Sequence, residues 1–190
     1  MTGLKSEKKK NYILDCAKEV FIEKGFAKVT MKDIVEACKI SRGGLYRYYH
    51  STKEIFLALY QRDAKEDIEK VEVSLWENLS AKEILQNYLE KQKEEMIGKC
   101  PTLSNAAYEF FLENPEDRLI FQWQFDGLAE MFREVIEYGN RKGEFSIDEP
   151  AGFARHITLF LNNMHLSAPL LNFPKQRIEE QFELLLKPCK

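Results

Sequence analysis

Apolar positions recur along this chain at helical spacing, and no stretch alternates with the period of two that marks a strand. Near the amino end, Met31, Ile34, Val35 and Cys38 fall at i, i+3, i+4 and i+7, which makes one apolar face of a short helix. Similar stripes follow to the carboxyl end, separated by Gly, Pro and Asn breaks. The pattern predicts an all-α protein of about nine helices.

The segment 30–53 contains the most informative pattern, two short helices joined by a tight polar turn. Thr30 precedes the first helix and Ser41 precedes the second, and both are residue types that cap helix starts. In the second helix, Leu45 and Tyr49 lie on one side and are expected to face the core. This arrangement predicts a helix-turn-helix whose second helix presents its other side to a partner.

The outward side of that second helix is basic and lacks bulk. It carries Arg42, Gly43, Tyr46, Arg47 and His50. A helix in the DNA major groove needs cations that bind phosphate, an arginine fork that binds guanine, and a backbone that can approach the DNA closely. This side of the helix offers all three, the last of them at Gly43 and Gly44. We expect Arg42 to contact a base. Phosphate contacts are expected from Lys28, Thr30, Ser41, Tyr46 and Lys53, with His50 as a further contact. Lys53 lies in the first turn of the next helix, where unpaired backbone amides and the helix dipole favour an anion.

Three pieces of sequence in this region resemble one known family. They are A-x-x-x-F-x-x-x-G-F over 17–26, T-x-x-x-I-V-x-A over 30–37, and S-R-G-G-L-Y-R-Y-Y-x-x-x-K-E-x-F over 41–56. Together they resemble the helix-turn-helix head of TetR-family transcriptional regulators. One departure is Lys39, at a turn position where family members often carry glycine; lysine there is strained if φ is positive. The resemblance implies a DNA-binding domain over 1–52 and an effector-binding and dimerisation domain over 53–190.

Charge and composition agree with that division. The chain carries 31% charged and 44% hydrophobic residues. Residues 1–60 have five more basic than acidic side chains, whereas the remainder has eight more acidic than basic ones. A basic head on an acidic body suggests that one end meets a polyanion. No apolar run approaches the roughly 20 residues of a membrane span, and the start lacks a signal-peptide core, so a cytoplasmic protein is expected.

The resemblance also implies an effector cavity within the helical body. Its aromatic residues, with a few polar tips, suit a small apolar or amphipathic ligand. The residues expected to line it are Trp76, Tyr88, Phe110, Phe111, Trp123, Phe125, Phe160, Asn163 and Met164. For any one of these residues, an ordinary place in the core is an open alternative.

The last two predicted helices carry more apolar surface than one core requires. The helix that begins at Pro150 has a second apolar stripe, formed by Leu159, Leu166 and Leu170. A helix with two apolar sides needs two packing partners, and a second copy of the chain is the simplest second partner. The residues expected at this homodimer interface are Phe153, His156, Ile157, Ile178, Phe182 and Leu185.

Catalytic and metal-binding motifs are missing from the sequence. There is no G-x-S-x-G, P-loop, G-x-G-x-x-G or H-E-x-x-H, and the four cysteines match no zinc spacing. We therefore expect no enzyme activity, cofactor or metal. A thiol redox sensor, at Cys100 for example, stays open. The sequence favours a ligand-responsive repressor that binds palindromic DNA as a homodimer; the alternative is a helical small-molecule carrier that does not bind DNA.

Overall fold

The computed structural model describes residues 2–98 and 102–189, with side chains described for 6–98 and 102–188. Within these ranges the chain is all-α, which confirms the predicted class, and it forms nine α-helices and two short 3-10 turns. The helices are α1 Thr2–Lys24, α2 Met31–Cys38, α3 Arg42–Tyr46, α4 Thr52–Trp76, α5 Ala81–Gly98, α6 Leu103–Glu113, α7 Arg118–Lys142, α8 Pro150–Leu170 and α9 Lys175–Leu185. None of the described helices is long and apolar enough to cross a membrane. Cys100 lies outside the described residues.

The amino-terminal helices α1 to α3 pack with the first half of α4 around a core of their own. This head core is built on large side chains that are fully buried, among them Ile13, Phe21, Leu45 and Phe56. Helix α6, distant in sequence, completes it by inserting Ala106, Ala107, Phe110 and Phe111. The ring of Phe110 lies 4.9 Å from that of Phe56 and 4.7 Å from that of Phe26. Burial of apolar surface on this scale is what holds the short helices α2 and α3 in place.

A second core fills the body, between α5, α7, α8 and α9, with a contribution from the end of α4. Phe132, Ile136, Leu85 and Ile157 are among its most deeply buried members. Helices α7 and α5 approach closely at Gly139, where a Cβ atom would overlap the ring of Phe145. Glycine is therefore required there by packing rather than by backbone conformation.

A short 3-10 turn over Pro115–Asp117 separates α6 from α7. Asn114 closes α6, where its side-chain amide donates to the carbonyl oxygen of Phe110 at 2.9 Å. This turn connects a helix that packs in the head with a helix that packs in the body.

Candidate nucleic-acid interface and effector cavity

The start of α2 is fixed by a reciprocal cap. The amide of Asp33 donates to Thr30 Oγ1 at 3.3 Å, and the amide of Thr30 donates to Asp33 Oδ2 at 2.8 Å. Lys24 Nζ, from the last turn of α1, lies 2.7 Å from Asp33 Oδ1. The Lys24 ammonium and the Thr30 groups hold the pKa of Asp33 well below its usual range. The cap therefore orients α2 against α1, on which the geometry of the whole helix-turn-helix depends.

The turn between α2 and α3 uses a left-handed residue and a second cap. Lys39 has φ 51° and ψ 43°, so the glycine-like conformation suspected from the sequence is present in a lysine. Ser41 Oγ accepts a hydrogen bond from the amide of Gly44 at 3.1 Å and caps α3, as expected. The hydroxyl of Tyr12 donates to the carbonyl oxygen of Cys38 at 2.9 Å, which ties the end of α2 to α1.

Helix α3 ends at Tyr46, so Tyr49 and His50 lie after the helix rather than within it as the sequence predicts. The segment 41–50 nevertheless has a buried side and an exposed side. Leu45 and Tyr49 are buried. On the opposite side Ser41, Arg42, Gly43, Arg47 and His50 are exposed and Tyr46 is half-buried. The guanidinium carbon of Arg42 lies 5.4 Å from the centre of the Tyr46 ring, so the arginine is held along the helix surface.

The two adjacent glycines of α3 have different local surroundings. A Cβ atom at Gly44 would come within 3.1 Å of Ser41 Oγ, so this position is constrained by the cap. A Cβ atom at Gly43 would meet nothing within 4 Å. Among the described residues, no neighbouring atom requires a glycine at 43.

Lys53 does not point freely to solvent from the first turn of α4. Its Nζ lies 2.6 Å from Glu116 Oε1 and 2.6 Å from Asp117 Oδ2, both in the 3-10 turn before α7. Asp117 and Glu116 together raise the pKa of the Lys53 ammonium, and that ammonium in turn lowers the pKa of Glu116. Lys53, which the sequence predicts to contact a DNA phosphate, therefore forms ion pairs with two carboxylates of the body.

A cavity of about 530 Å³ lies where the head meets the body. Residues from α1, α4, α5, α6, α7 and α8 line it, and aromatic walls come from Tyr60, Tyr88, Phe121 and Phe125. Ion pairs also border it. They include Lys18 with Asp63 at 2.7 Å, Arg62 with Asp15 at 2.8 Å, Arg62 with Asp63 at 2.9 Å, and Lys91 with Asp67 at 2.7 Å. The volume and mixed lining are typical of a site for a small organic molecule.

A buried polar network forms part of the cavity wall. His165 Nε2 lies 2.8 Å from Gln92 Oε1, and His165 Nδ1 lies 3.3 Å from Thr102 Oγ1. All three residues are buried. Burial lowers the pKa of the imidazole to about 4, so the ring is neutral at pH 7. Because Gln92 Oε1 is an acceptor, the proton of the neutral ring resides on Nε2. The unprotonated Nδ1 and Asn105 Oδ1, each 3.3 Å from Thr102 Oγ1, are alternative acceptors for the single proton of the threonine hydroxyl.

Comparison with known proteins identifies the family. The family model described as bacterial regulatory proteins of the tetR family matches residues 13–59. The uncharacterized HTH-type transcriptional regulator YfiR of Bacillus subtilis is 31% identical over 160 residues, which cover 83% of this chain and 78% of YfiR. This chain belongs to the TetR family. Its family is one of DNA-binding transcriptional regulators, which confirms the expectation that it is not an enzyme.

Two further relatives of this TetR-family chain match almost its full length. The HTH-type transcriptional regulator QacR of Staphylococcus aureus is 26% identical over 94% of this chain and 93% of its own. The structure of the fatty acid degradation regulator FadR from Bacillus halodurans superimposes with a TM-score of 0.72 over 94% of both chains, at 19% identity. At that identity the FadR match shows the shared fold alone.

The cavity of this TetR-family chain includes only two of the residues expected there. Tyr88 and Phe125 line it, whereas Trp76 and Trp123 are 89% and 69% exposed. The other expected residues lie elsewhere. Phe110 and Phe111 are in the head core and Met164 is in the body core. Phe160 packs edge-on to Phe182 at 5.2 Å, and Asn163 lies on the surface, where its side-chain amide donates to the carbonyl oxygen of Leu159. Aromatic type alone does not reveal which way a helical side chain points.

The sequence interpretation missed several residues that do line the cavity. Tyr60 and Phe121 were not among the expected lining residues, and Gln92 carried no signal at all. Tyr60 is four residues after Phe56, which makes it a continuation of the apolar face of α4. Its position at the end of that face was the signal available in the sequence.

Most of the residues expected at a dimer interface are buried inside the chain. Ile157, Ile178, Phe182 and Leu185 are at most 6% exposed and belong to the body core, so they have no surface left for a second copy. Phe153 is half-buried and His156 is exposed. The apolar residues that α8 and α9 leave exposed are Leu159, Leu166, Leu170 and Leu184. The residues that the sequence analysis assigned to the dimer interface therefore lie mainly on the sides of α8 and α9 that face the body core.

Proposed function

We propose that this chain is a ligand-responsive repressor that binds a palindromic operator as a homodimer and is released by a small apolar or amphipathic effector. The observation that carries the proposal is the two-sided helix α3. Leu45 and Tyr49 are buried in the head core, while Arg42, Gly43 and Arg47 are exposed on the opposite side. An exposed basic surface without bulk, on the second helix of a helix-turn-helix, suits the major groove.

Base and phosphate contacts divide between different residues. Arg42 presents a fork that matches the acceptors of guanine, and Gly43 lets the backbone approach the groove. Lys28, Thr30, Ser41 and Tyr46 surround this surface and suit phosphate contacts that fix register. The proposed DNA-binding domain comprises residues 1–52, and residues 53–190 form the proposed effector and dimerisation domain.

The homodimer is proposed to form through the exposed sides of α8 and α9. Leu159, Leu166 and Leu170 recur at helical spacing on α8, and Leu184 lies exposed on α9. Two copies of this stripe would bury each other across a two-fold axis, as an isologous interface requires. The interface fixes the separation of the two α3 helices and therefore the spacing of the operator half-sites.

The effector is proposed to act through α4. Tyr60, Arg62, Ala64 and Ile68 of this helix line the cavity, while five residues separate its first turn from the end of α3. A ligand that displaces α4 would move the recognition surface and change the distance between the heads. Coupling of this kind is typically worth about 1–3 kcal/mol.

The test is DNA selection followed by binding measurements on variants. Duplexes retained by the purified protein from a randomised library are sequenced, and affinity is measured by fluorescence anisotropy across salt concentrations. Arg42→Ala should relax the choice at one base by about 1–3 kcal/mol, whereas Lys28→Ala should weaken all sequences alike and reduce the salt slope by about one. Arg141→Ala, an exposed arginine of the body, is the matched control. Retention of no duplex at all would leave the carrier hypothesis in place of the repressor.

A further inference from the structure

The contact between Lys53 and the turn before α7 links the two parts of the molecule at the DNA-facing end of α4. Lys53 is the second residue of α4, seven positions after α3 ends at Tyr46. Its ammonium lies 2.6 Å from a carboxylate oxygen of each of Glu116 and Asp117. The cation in the first turn of α4 is thus already paired with carboxylates of the same chain.

The two carboxylates have different surroundings. The Glu116 side chain is 62% exposed, whereas that of Asp117 is 18% exposed and its Oδ2 atom is shielded from water. Lys53 is the group that balances this shielded charge. A carboxylate shielded from water is costly without a counter-charge. Separating Lys53 from Asp117 therefore requires free energy.

The acidic turn has a defined place between two segments of the cavity wall. Thr102 and Ser104 at the start of α6 line the cavity on one side of the turn in sequence, and Phe121 of α7 lines it on the other. The turn itself is held by Asn114, whose carbonyl oxygen accepts from the amide of Asp117 at 3.1 Å. The position of the carboxylates is therefore set by α6, which packs in the head core, and by α7, which packs in the body.

A DNA phosphate that approached the ammonium group of Lys53 would also lie close to the negative charges of Glu116 and Asp117. Phosphate and carboxylate are alternative partners for a lysine, and like charges so close together repel each other strongly in a partly shielded site. We propose that Glu116 and Asp117 compete with operator phosphate for Lys53, so that this turn of the body lowers the DNA affinity of the head. The inference rests on the proposed DNA-binding function and adds to it two residues outside the head that set affinity.

The experiment measures affinity for one duplex, selected on the wild-type protein, in two backgrounds. Neutralising both acids without changing their shape, by Glu116→Gln with Asp117→Asn, should lower Kd by about fivefold or more. In a Lys53→Met background the same pair of substitutions should change Kd by less than about twofold, because the contested cation is gone. The matched control is Glu113→Gln with Asp126→Asn, which removes two exposed acids of α6 and α7 and should leave Kd unchanged.

Each outcome decides a separate question. An equal gain in affinity with and without Lys53 would show general charge repulsion and overturn the competition. An unchanged Kd in the Glu116 and Asp117 variant, with wild-type protein that binds its duplex, would overturn it as well. Failure of the wild-type protein to bind any duplex would refute the proposed function together with this inference. Thermal unfolding of each variant verifies that it is folded.

Discussion

Acidification should destabilise this protein through a single buried imidazole. Burial lowers the pKa of His165 to about 4, whereas an imidazole in the unfolded chain titrates near 6.5. Between these values the unfolded state binds the proton and the folded state does not. The folded state is therefore fully favoured above about pH 6.5 and loses stability as the pH falls toward about 4. With about 1.4 kcal/mol for each pKa unit, the loss attributable to His165 is about 2 kcal/mol at about pH 5.

Urea unfolding of the wild-type protein and of His165→Gln measures this contribution. Both proteins are studied at the same concentration, at about pH 7.5 and about pH 5, because assembly would shift apparent stability. Carboxylates titrate in both proteins, so their contribution to the loss of stability cancels when the loss in the variant is subtracted from the loss in the wild type. The wild type should lose about 2 kcal/mol more than the variant on acidification. Equal losses would refute the reasoning, since they would mean that the imidazole takes up its proton without unfolding and that its surroundings admit water.

Three further predictions test packing, backbone strain and assembly. Gly139→Ala should destabilise by about 1–3 kcal/mol, because its Cβ would overlap a buried ring, whereas Gly127→Ala on the same helix should stabilise by about 0.5–1 kcal/mol; urea midpoints compare the two. Lys39→Gly should raise the free energy of unfolding by about 0.5–1 kcal/mol by relieving a positive φ. Leu159→Lys should yield a monomer in sedimentation velocity, while Leu112→Lys, an exposed leucine of α6, should not change the oligomeric state.

The head was predictable because its determinants are local. Thr30 and Ser41 are cap residues at the correct spacing from the apolar positions that follow, and both caps are formed. Leu45 and Tyr49 are buried as their spacing indicates. The spacing of Leu45 and Tyr49 allows only one side of the segment 41–50 to face the core, so its outward surface follows directly from the sequence.

The side of α8 that stays exposed was not predictable in the same way because α8 is apolar on two sides. Both the stripe that contains Ile157 and the stripe that contains Leu159 satisfy helical periodicity. Which of them meets the chain's own core depends on how α7 and α9 pack against α8, and this information is not local. The same limit applies to the cavity, where Trp123 and Phe125 are two residues apart on one helix and point in different directions.

Helix α6 is the element whose role the sequence least reveals, and it bears on how the two parts communicate. Its apolar stripe predicts a place in the body, yet Phe110 is fully buried in the head core against Phe56. The same helix begins with Ser104 at the cavity wall. The division at residue 52 stays a prediction, but the head core draws on residues from both sides of it. Because a packed core admits discrete arrangements rather than gradual deformation, we infer that a shift of α6 at the cavity would reach the head as a change in its packing. Transfer along this route would need no hinge between the two parts, since α6 both borders the cavity and packs in the head core.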